Sequence, residues 1–358
     1  MPTVLLTFGS GACGELGHGR ADEARRTEAR AVEFPVPGQH GAECVALGTD
    51  HSLAVVGGSA YRWGLLGAHT VPRAWRSGPP DAHREAPEVV PSPAAIAGGA
   101  GGEPGGVGPF DVQAVACGGS NSYMLSADGE VFLLGGLWPP GGDPWSVRRL
   151  WGAAAGGPPS RVARVAAGWR HCLLLTEVGR VFALGDDEHG QCGGNSTGGA
   201  ALAFPTRDAI VGIAAGACHS AAVDAAGRVF AWGCGGNGRL GLGGGPAHCR
   251  SPAPVDLGGE PACDVGCGAN FTLFVTRGGA ALWGCGSNRC GQLGLGAADR
   301  AAHEAPERLD FPRRGDEIVG LACGSNHALC LTRGASTAQP RRPNDHDAGR
   351  PVVWAWGS

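Results

Sequence analysis

The chain has 358 residues, a formal net charge of −4 and only 17% charged residues, and it shows no basic tail of the kind that phosphate binding would suggest. Its 66 glycines and 26 prolines would signal disorder if scattered, but most glycines fall in register, as tight turns between short strands require. No apolar stretch approaches membrane-spanning length. The opening "MPTVLLTFGSG" is too short in its apolar run, and lacks the preceding positive charge, for a signal peptide; the expectation is a soluble cytoplasmic chain that could also enter the nucleus.

In chain order, two motifs alternate. The first is an aromatic or leucine followed by glycine and, in full copies, a glycine-rich turn. "TFGSGACGELGHG" (Thr7–Gly19) opens the series, and "RWGLLG" from Arg62 and "LLGGLW" from Leu133 keep only its first half. "ALGDDEHGQCGG" (Ala183–Gly194) is degenerate, "AWGCGGNGRLGLG" (Ala231–Gly243) and "ALWGCGSNRCGQLGLG" (Ala281–Gly296) are complete, and "AWGS" ends the chain. The second motif reads "LGTDHSLAVV" from Leu47, "CGGSNSYML" from Cys117, "AGWRHCLLL" from Ala167, "AGACHSAAV" from Ala215, "CGANFTLFV" from Cys267 and "CGSNHALCL" from Cys323. Its glycines, at 48, 118, 168, 216, 268 and 324, lie 70, 50, 48, 52 and 56 residues apart, a period of about fifty with one long insertion.

Within one unit, Ile210–Gly243, the apolar runs "IVGIAA", "HSAAV" and "RVFAWG" are bounded by glycine turns, and a fourth strand is expected near "RLGLG" or just beyond it. Four strands per fifty residues is the size of a propeller blade. Seven copies of the aromatic-or-leucine-plus-glycine step then predict an all-β chain, one seven-bladed β-propeller over residues 1–358. The last blade should be truncated at the C-terminus, so that ring closure is weakened. Low-complexity loop insertions are expected near 78–108 and 334–351, with another loop at "WPPGGDPW" from Trp138.

The chemistry-bearing residues mostly follow the repeat. His51, His171, His219 and His327 recur at one register, where Asn121 and Phe271 stand in the other copies, so a structural role is expected, each histidine bonding its own blade's turn backbone. Trp63, Trp232, Trp283 and Trp356 are read as repeat core. The fourteen cysteines show no C-x-x-C, and Cys263/Cys267 and Cys285/Cys290 are poorly spaced for zinc, so free, mostly buried thiols are expected, with no metal and no cofactor. Cys117, Cys267 and Cys323 share a register with Ala167, Ala215 and Leu47, which reads as a small apolar core site, while Cys234 and Cys285 share another, directly after Trp-Gly. "DDEHGQC" (Asp186–Cys192) could hold a metal, but it aligns with the polar turn of other copies and is read as a solvated turn. "GSGACG" and "GCGGNG" look like phosphate-binding loops, but no helix follows them.

Residues that vary between copies are better candidates for function. The two positions before the histidine register are Thr49-Asp50, Gly119-Ser120, Trp169-Arg170, Ala217-Cys218, Ala269-Asn270 and Ser325-Asn326. Trp169 and Arg170 are types enriched in interface hot spots, and Asp50, Asn270 and Asn326 complete the candidate partner-binding set.

The paired motifs "CGSNHALCLT" and "ALWGCGSNRCGQLGLG" resemble those of the regulator-of-chromosome-condensation repeat family over nearly the whole chain, most weakly between Arg62 and Leu150. The resemblance implies a seven-bladed propeller. "PERLDFP" (Pro306–Pro312), "IVGLACGSNHALCLT" and "VVWAWG" are further similar to the fungal alpha-tubulin suppressor branch. That implies a non-enzymatic, monomeric scaffold docking a small zinc-binding electron-carrier protein that serves diphthamide synthesis and tRNA wobble-uridine modification. The alternative the family implies is guanine nucleotide exchange on a small GTPase, for which no wedge motif is visible. Chromatin binding is disfavoured by the absence of a basic N-terminal tail.

Overall fold

The computed structural model describes residues 6–11, 22–32, 42–48, 51–64, 84–90, 111–119, 121–134, 147–152, 160–195, 197, 199–296, 298–311, 316–334 and 351–357. The chain forms two compact units, Met1–Arg170 and His171–Ser358. Among the described residues of the first unit, β1 (Leu6–Gly11) pairs with β2 (Asp22–Ala31). A four-stranded sheet follows: β3 (Cys44–Leu47), β4 (His51–Val56), β5 (Ser59–Gly64) and β6 (Arg84–Val89). The next comprises β7 (Val112–Cys117), β8 (Ser122–Ser126), β9 (Val131–Leu134) and β10 (Val147–Trp151), and β11 (Val162–Ala167) is the unit's last strand.

The second unit opens with the hairpin of β12 (His171–Thr176) and β13 (Val181–Gly185). Two four-stranded sheets follow: β14 (Ile210–Ala215), β15 (His219–Asp224), β16 (Val229–Cys234), β17 (His248–Val255); and β18 (Ala262–Cys267), β19 (Phe271–Thr276), β20 (Leu282–Ser287), β21 (Ala302–Arg308). β22 (Asp316–Cys323), β23 (His327–Gly334) and β24 (Pro351–Gly357) form the last. Among the described residues, strand pairing is antiparallel and between sequence neighbours, so each sheet is a meander. The fold is all-β, and the described residues form seven sheets, consistent with the seven expected blades. The fourth strand of the Ile210 unit lies beyond "RLGLG", at His248–Val255.

The strands follow from the local chemistry. Second strands such as β15 "HSAAVD" and β19 "FTLFVT" are buried at every position, whereas first strands such as β14 alternate. A strand buried on both faces sits between two packed layers, and its apolar runs show no alternation. Three core clusters span consecutive sheets. Leu53, Val55, Val112, Val115, Met124 and Phe132 join the two larger sheets of the first unit. Ala231, Val255, Val265 and Phe274 join β14–β17 to β18–β21, and Leu273, Leu293, Leu309, Ile318 and Ala328 join β18–β21 to β22–β24. At about 25 cal/mol per Å² of buried apolar surface, these contacts are the main stabilising term, and no sheet could bury both faces alone.

Three expectations need correction or placement. Within the supposed loop at 78–108, Arg84–Val89 is a strand paired with β5 and Val90 after it is buried in the core; residues 78–83, 91–108 and 335–350 lie outside the described residues, as does the loop from Trp138. Cys117, Cys267 and Cys323 do not mark a uniform core site: Cys267 is buried, Cys117 and Cys323 are half-buried, and Leu47 at that register is 66% exposed. Strand register also separates Trp283 from the other tryptophans. Ser52, Ser220 and Ala328 pair with Trp63, Trp232 and Trp356, but the equivalent Thr272 pairs with Cys285. The aligned motif is therefore Cys285-Gly286, two residues after the visible Trp-Gly, and Cys234 and Cys285 do not share a register. Trp283 is half-buried and donates its Nε1–H to Glu260, 3.3 Å away.

Candidate functional site

Five of the six second-motif copies make the same turn. The glycine N–H donates to the carbonyl three residues on, as in Gly48 to His51, Gly118 to Asn121, Gly216 to His219, Gly268 to Phe271 and Gly324 to His327, all at 2.8–2.9 Å. The glycine is needed because a Cβ at Gly216 would stand 2.2 Å from the His219 ring and 2.5 Å from the Gly268 carbonyl. A Cβ at Gly118 would lie 2.0 Å from the Gly168 carbonyl. Successive turns thus approach backbone to backbone.

The buried histidines reach the neighbouring sheet and not their own turn, which corrects the sequence expectation. His51 Nε2 lies 2.6 Å from Ser122 Oγ, His171 Nε2 lies 3.0 Å from Ser220 Oγ, and His219 Nε2 lies 2.9 Å from Thr272 Oγ1. Ser220 donates its single hydroxyl proton to the Gln191 carbonyl at 2.8 Å, and Thr272 donates to the Arg239 carbonyl at 2.7 Å. His171 and His219 must therefore be the donors, which fixes the Nε2–H tautomer. The Gln191 carbonyl also accepts the Trp232 indole N–H at 2.9 Å, and the Gln292 carbonyl accepts that of Trp356 at 2.8 Å. One sheet's histidine and glycine-rich loop thus clasp the next sheet's hydroxyl and tryptophan. At β19 and β23 the pair is Phe271 with Ala328, in one apolar cluster. His327, in the last sheet, is exposed.

Burial pushes the His171 pKa down to about 4. It also pushes His219 down to about 3, with help from the nearby Arg239 and His171 charges. Both imidazoles are neutral at physiological pH, and their fixed tautomer suits a structural clasp. Burial likewise raises the thiols of Cys117 and Cys267 to about 12, far from nucleophilic.

The candidate partner-binding positions sit beside this frame. Asp50 lies outside the described residues. In the first unit, Trp169 and Arg170 are exposed, Trp169 by 45%. The indole rests on the preceding turn, where a Cβ at Gly119 would stand 2.8 Å from its ring. In the second unit, Asn270 and Asn326 are half-buried, and their turns are joined where Ala269 N–H donates to the Ser325 carbonyl at 3.1 Å. Arg239 reaches the first of these turns, its Nη1 lying 3.4 Å from the Ala269 carbonyl. The structure thus brings Asn270 and Asn326 onto adjacent turns. The sequence reading missed the hydroxyl partners Ser122, Ser220 and Thr272. Their signal was present: the position after the histidine register carries Ser or Thr in most copies, and the alanine there, Ala328, follows the copy in which phenylalanine replaces histidine.

The comparisons with known proteins agree with this geometry. Human HERC2, an E3 ubiquitin-protein ligase, is 28% identical over 264 residues, 68% of this chain but 5% of its own length. The ultraviolet-B receptor UVR8 of Arabidopsis thaliana is 28% identical over 358 residues, 92% of this chain and 70% of its own. The mouse secretion-regulating guanine nucleotide exchange factor is 37% identical over 108 residues, 30% of this chain and 22% of its own length. The chain thus spans a small part of several of these relatives. Among solved structures, human WBSCR16 superposes with a TM-score of 0.72 at 17% identity, covering 92% of this chain and 89% of that one. Yeast RCC1 (Prp20), solved bound to Kap60, gives 0.72 at 20% identity, covering 93% and 79%. Both likenesses concern the fold. The RCC1-like domain pattern matches residues 4–357, and the chain belongs to that family.

Proposed function

We propose that the protein is a non-enzymatic docking scaffold whose partner engages the turn carrying Trp169 and Arg170. The observation behind this is local. The five other second-motif turns share one recurring glycine bond and show no such pair, whereas here a tryptophan is held 45% exposed on a glycine platform beside an exposed arginine. Large aromatic and arginine side chains fixed at a surface are the residue types that dominate interface energetics. The partner in this reading is a small zinc-binding electron-carrier protein of the diphthamide and wobble-uridine pathways, and what supports that choice is the resemblance of Pro306–Pro312 and the segments after it to the alpha-tubulin suppressor branch. The scaffold acts in the cytoplasm as a monomer.

A second reading, nucleotide exchange on a small GTPase, is favoured by the 37% identity with the mouse exchange factor. Affinity capture from cell extract with the full chain, followed by mass spectrometry, separates the two. Recovery of the small zinc protein, lost with Trp169→Ala, supports docking. Recovery of a nucleotide-free GTPase released by added GTP overturns it in favour of exchange.

A further inference from the structure

The glycine-rich loop after β13 does more than accept the Trp232 indole. It carries His189 across to the next sheet, where Cys234 of β16 and His248 of β17 are register partners on neighbouring strands. Directly opposed residues of an antiparallel pair project to one face. The potential ligand atoms of these three residues all lie within 4.8 Å of one another, and the two imidazoles stack with centroids 4.9 Å apart and planes at 21°. The loop is fixed in this position. Arg250, two residues along β17 from His248, sends Nη2 to the Glu188 carbonyl at 3.1 Å and Nη1 to the Asp187 carbonyl at 3.4 Å. Gly190, at φ +84°, permits the close approach, since a Cβ there would lie 2.7 Å from the Arg250 side chain.

We propose that His189, Cys234 and His248 form a metal site for a borderline-soft divalent cation of the zinc type. Two imidazoles and one thiolate are the donors such an ion prefers, and no carboxylate in the trio favours a hard cation. In a tetrahedral site with bonds of about 2.0–2.3 Å, ligand atoms stand about 3.3–3.8 Å apart, so the trio closes by about 1 Å, within reach of side-chain rotation. His189 is half-buried, Cys234 half-buried and His248 exposed, which leaves the fourth position open to water or to a ligand from outside the chain. The sequence reading placed the ligand potential of "DDEHGQC" within that loop. The structure divides it differently: Cys192 is buried with its thiol directed to the Asp186 carbonyl at 3.3 Å, and His189 alone faces the new trio.

The test is titration of the full-length, reduced protein with Co²⁺, a spectroscopic substitute for Zn²⁺. Expected are one equivalent bound, a thiolate-to-cobalt charge-transfer band, and its loss on adding Zn²⁺. Cys234→Ser should abolish the band, and His248→Gln should weaken Co²⁺ binding at least about tenfold, whereas Cys249→Ser and Cys263→Ser should leave both unchanged. His248 is exposed, so its variant should fold, and circular dichroism of each variant checks this. Absence of the charge-transfer band in the folded wild type, or its persistence in Cys234→Ser, overturns the proposal.

Discussion

Two sets of residues in the same repeat, one to three positions apart in sequence, answer to opposite demands. At the clasp, His171 and His219 are fully buried, their tautomers are fixed by a hydroxyl that itself donates to a loop carbonyl, and the same device recurs between successive sheets. At the turn just before it, side chains change from copy to copy, and one copy presents Trp169 and Arg170 outward. The contrast teaches that recurrence marks the joinery, while departure from the repeat marks where the proposed partner would be told apart. It also shows that the clasp position is a pair, not a residue, since Phe271 meets Ala328 where His51, His171 and His219 meet a serine or threonine.

The largest effect should come from the clasp's tryptophan. Trp232 is fully buried and its indole N–H is bonded to the Gln191 carbonyl. Trp232→Ala should therefore destabilise by about 3–5 kcal/mol in urea or thermal unfolding. Trp283→Ala, at a half-buried site outside the shared register, should cost clearly less; equal losses would show that the register distinction has no energetic meaning.

Thr272→Ala comes next. It leaves the His219 N–H buried with no acceptor and should cost about 1–3 kcal/mol, whereas the double variant His219→Phe with Thr272→Ala, copying the Phe271–Ala328 pair, should recover part of the loss. Strict additivity of the two single changes, within about 0.5 kcal/mol, would contradict the pair.

Acid should act on the polar clasps and spare the apolar one. The folded-state pKa values of His171 and His219 are depressed to about 4 and about 3, below the unfolded value near 6.5. In that interval the unfolded chain binds more protons, so these sites' stability is fully present above about pH 6.5 and is lost as pH falls toward the folded values. Denaturant midpoints measured from pH 7 to pH 4.5 should fall, and His171→Phe combined with Ser220→Ala should flatten the slope. An unchanged slope would mean that the histidines do not link folding to protonation in this way.

Much of this was legible in the sequence, for identifiable reasons. The fifty-residue period, the four-strand unit and the turn glycines could be read because each copy must solve one steric problem, as Gly216 does against the His219 ring. The partner of each histidine was harder to read, because it lies about fifty residues away and belongs to the next copy; looking for it within the same blade assigned it to the wrong backbone. The register of Trp283 misled for a related reason. "WGCG" offers two places for the aromatic-glycine step, and only the pairing of Thr272 with Cys285 chooses between them. The trio of His189, Cys234 and His248 has no spacing signature at all, because three segments from two sheets contribute to it.

The smallest effect on stability and the largest on binding should coincide at Trp169. The most direct measurement is therefore to set Trp169→Ala beside Thr272→Ala, recording for each both the melting temperature and capture of the partner recovered from extract. The account predicts that Trp169→Ala melts within a degree or two of the wild type but loses capture, while Thr272→Ala melts lower and still captures at temperatures where it is folded. Full capture by folded Trp169→Ala would contradict it.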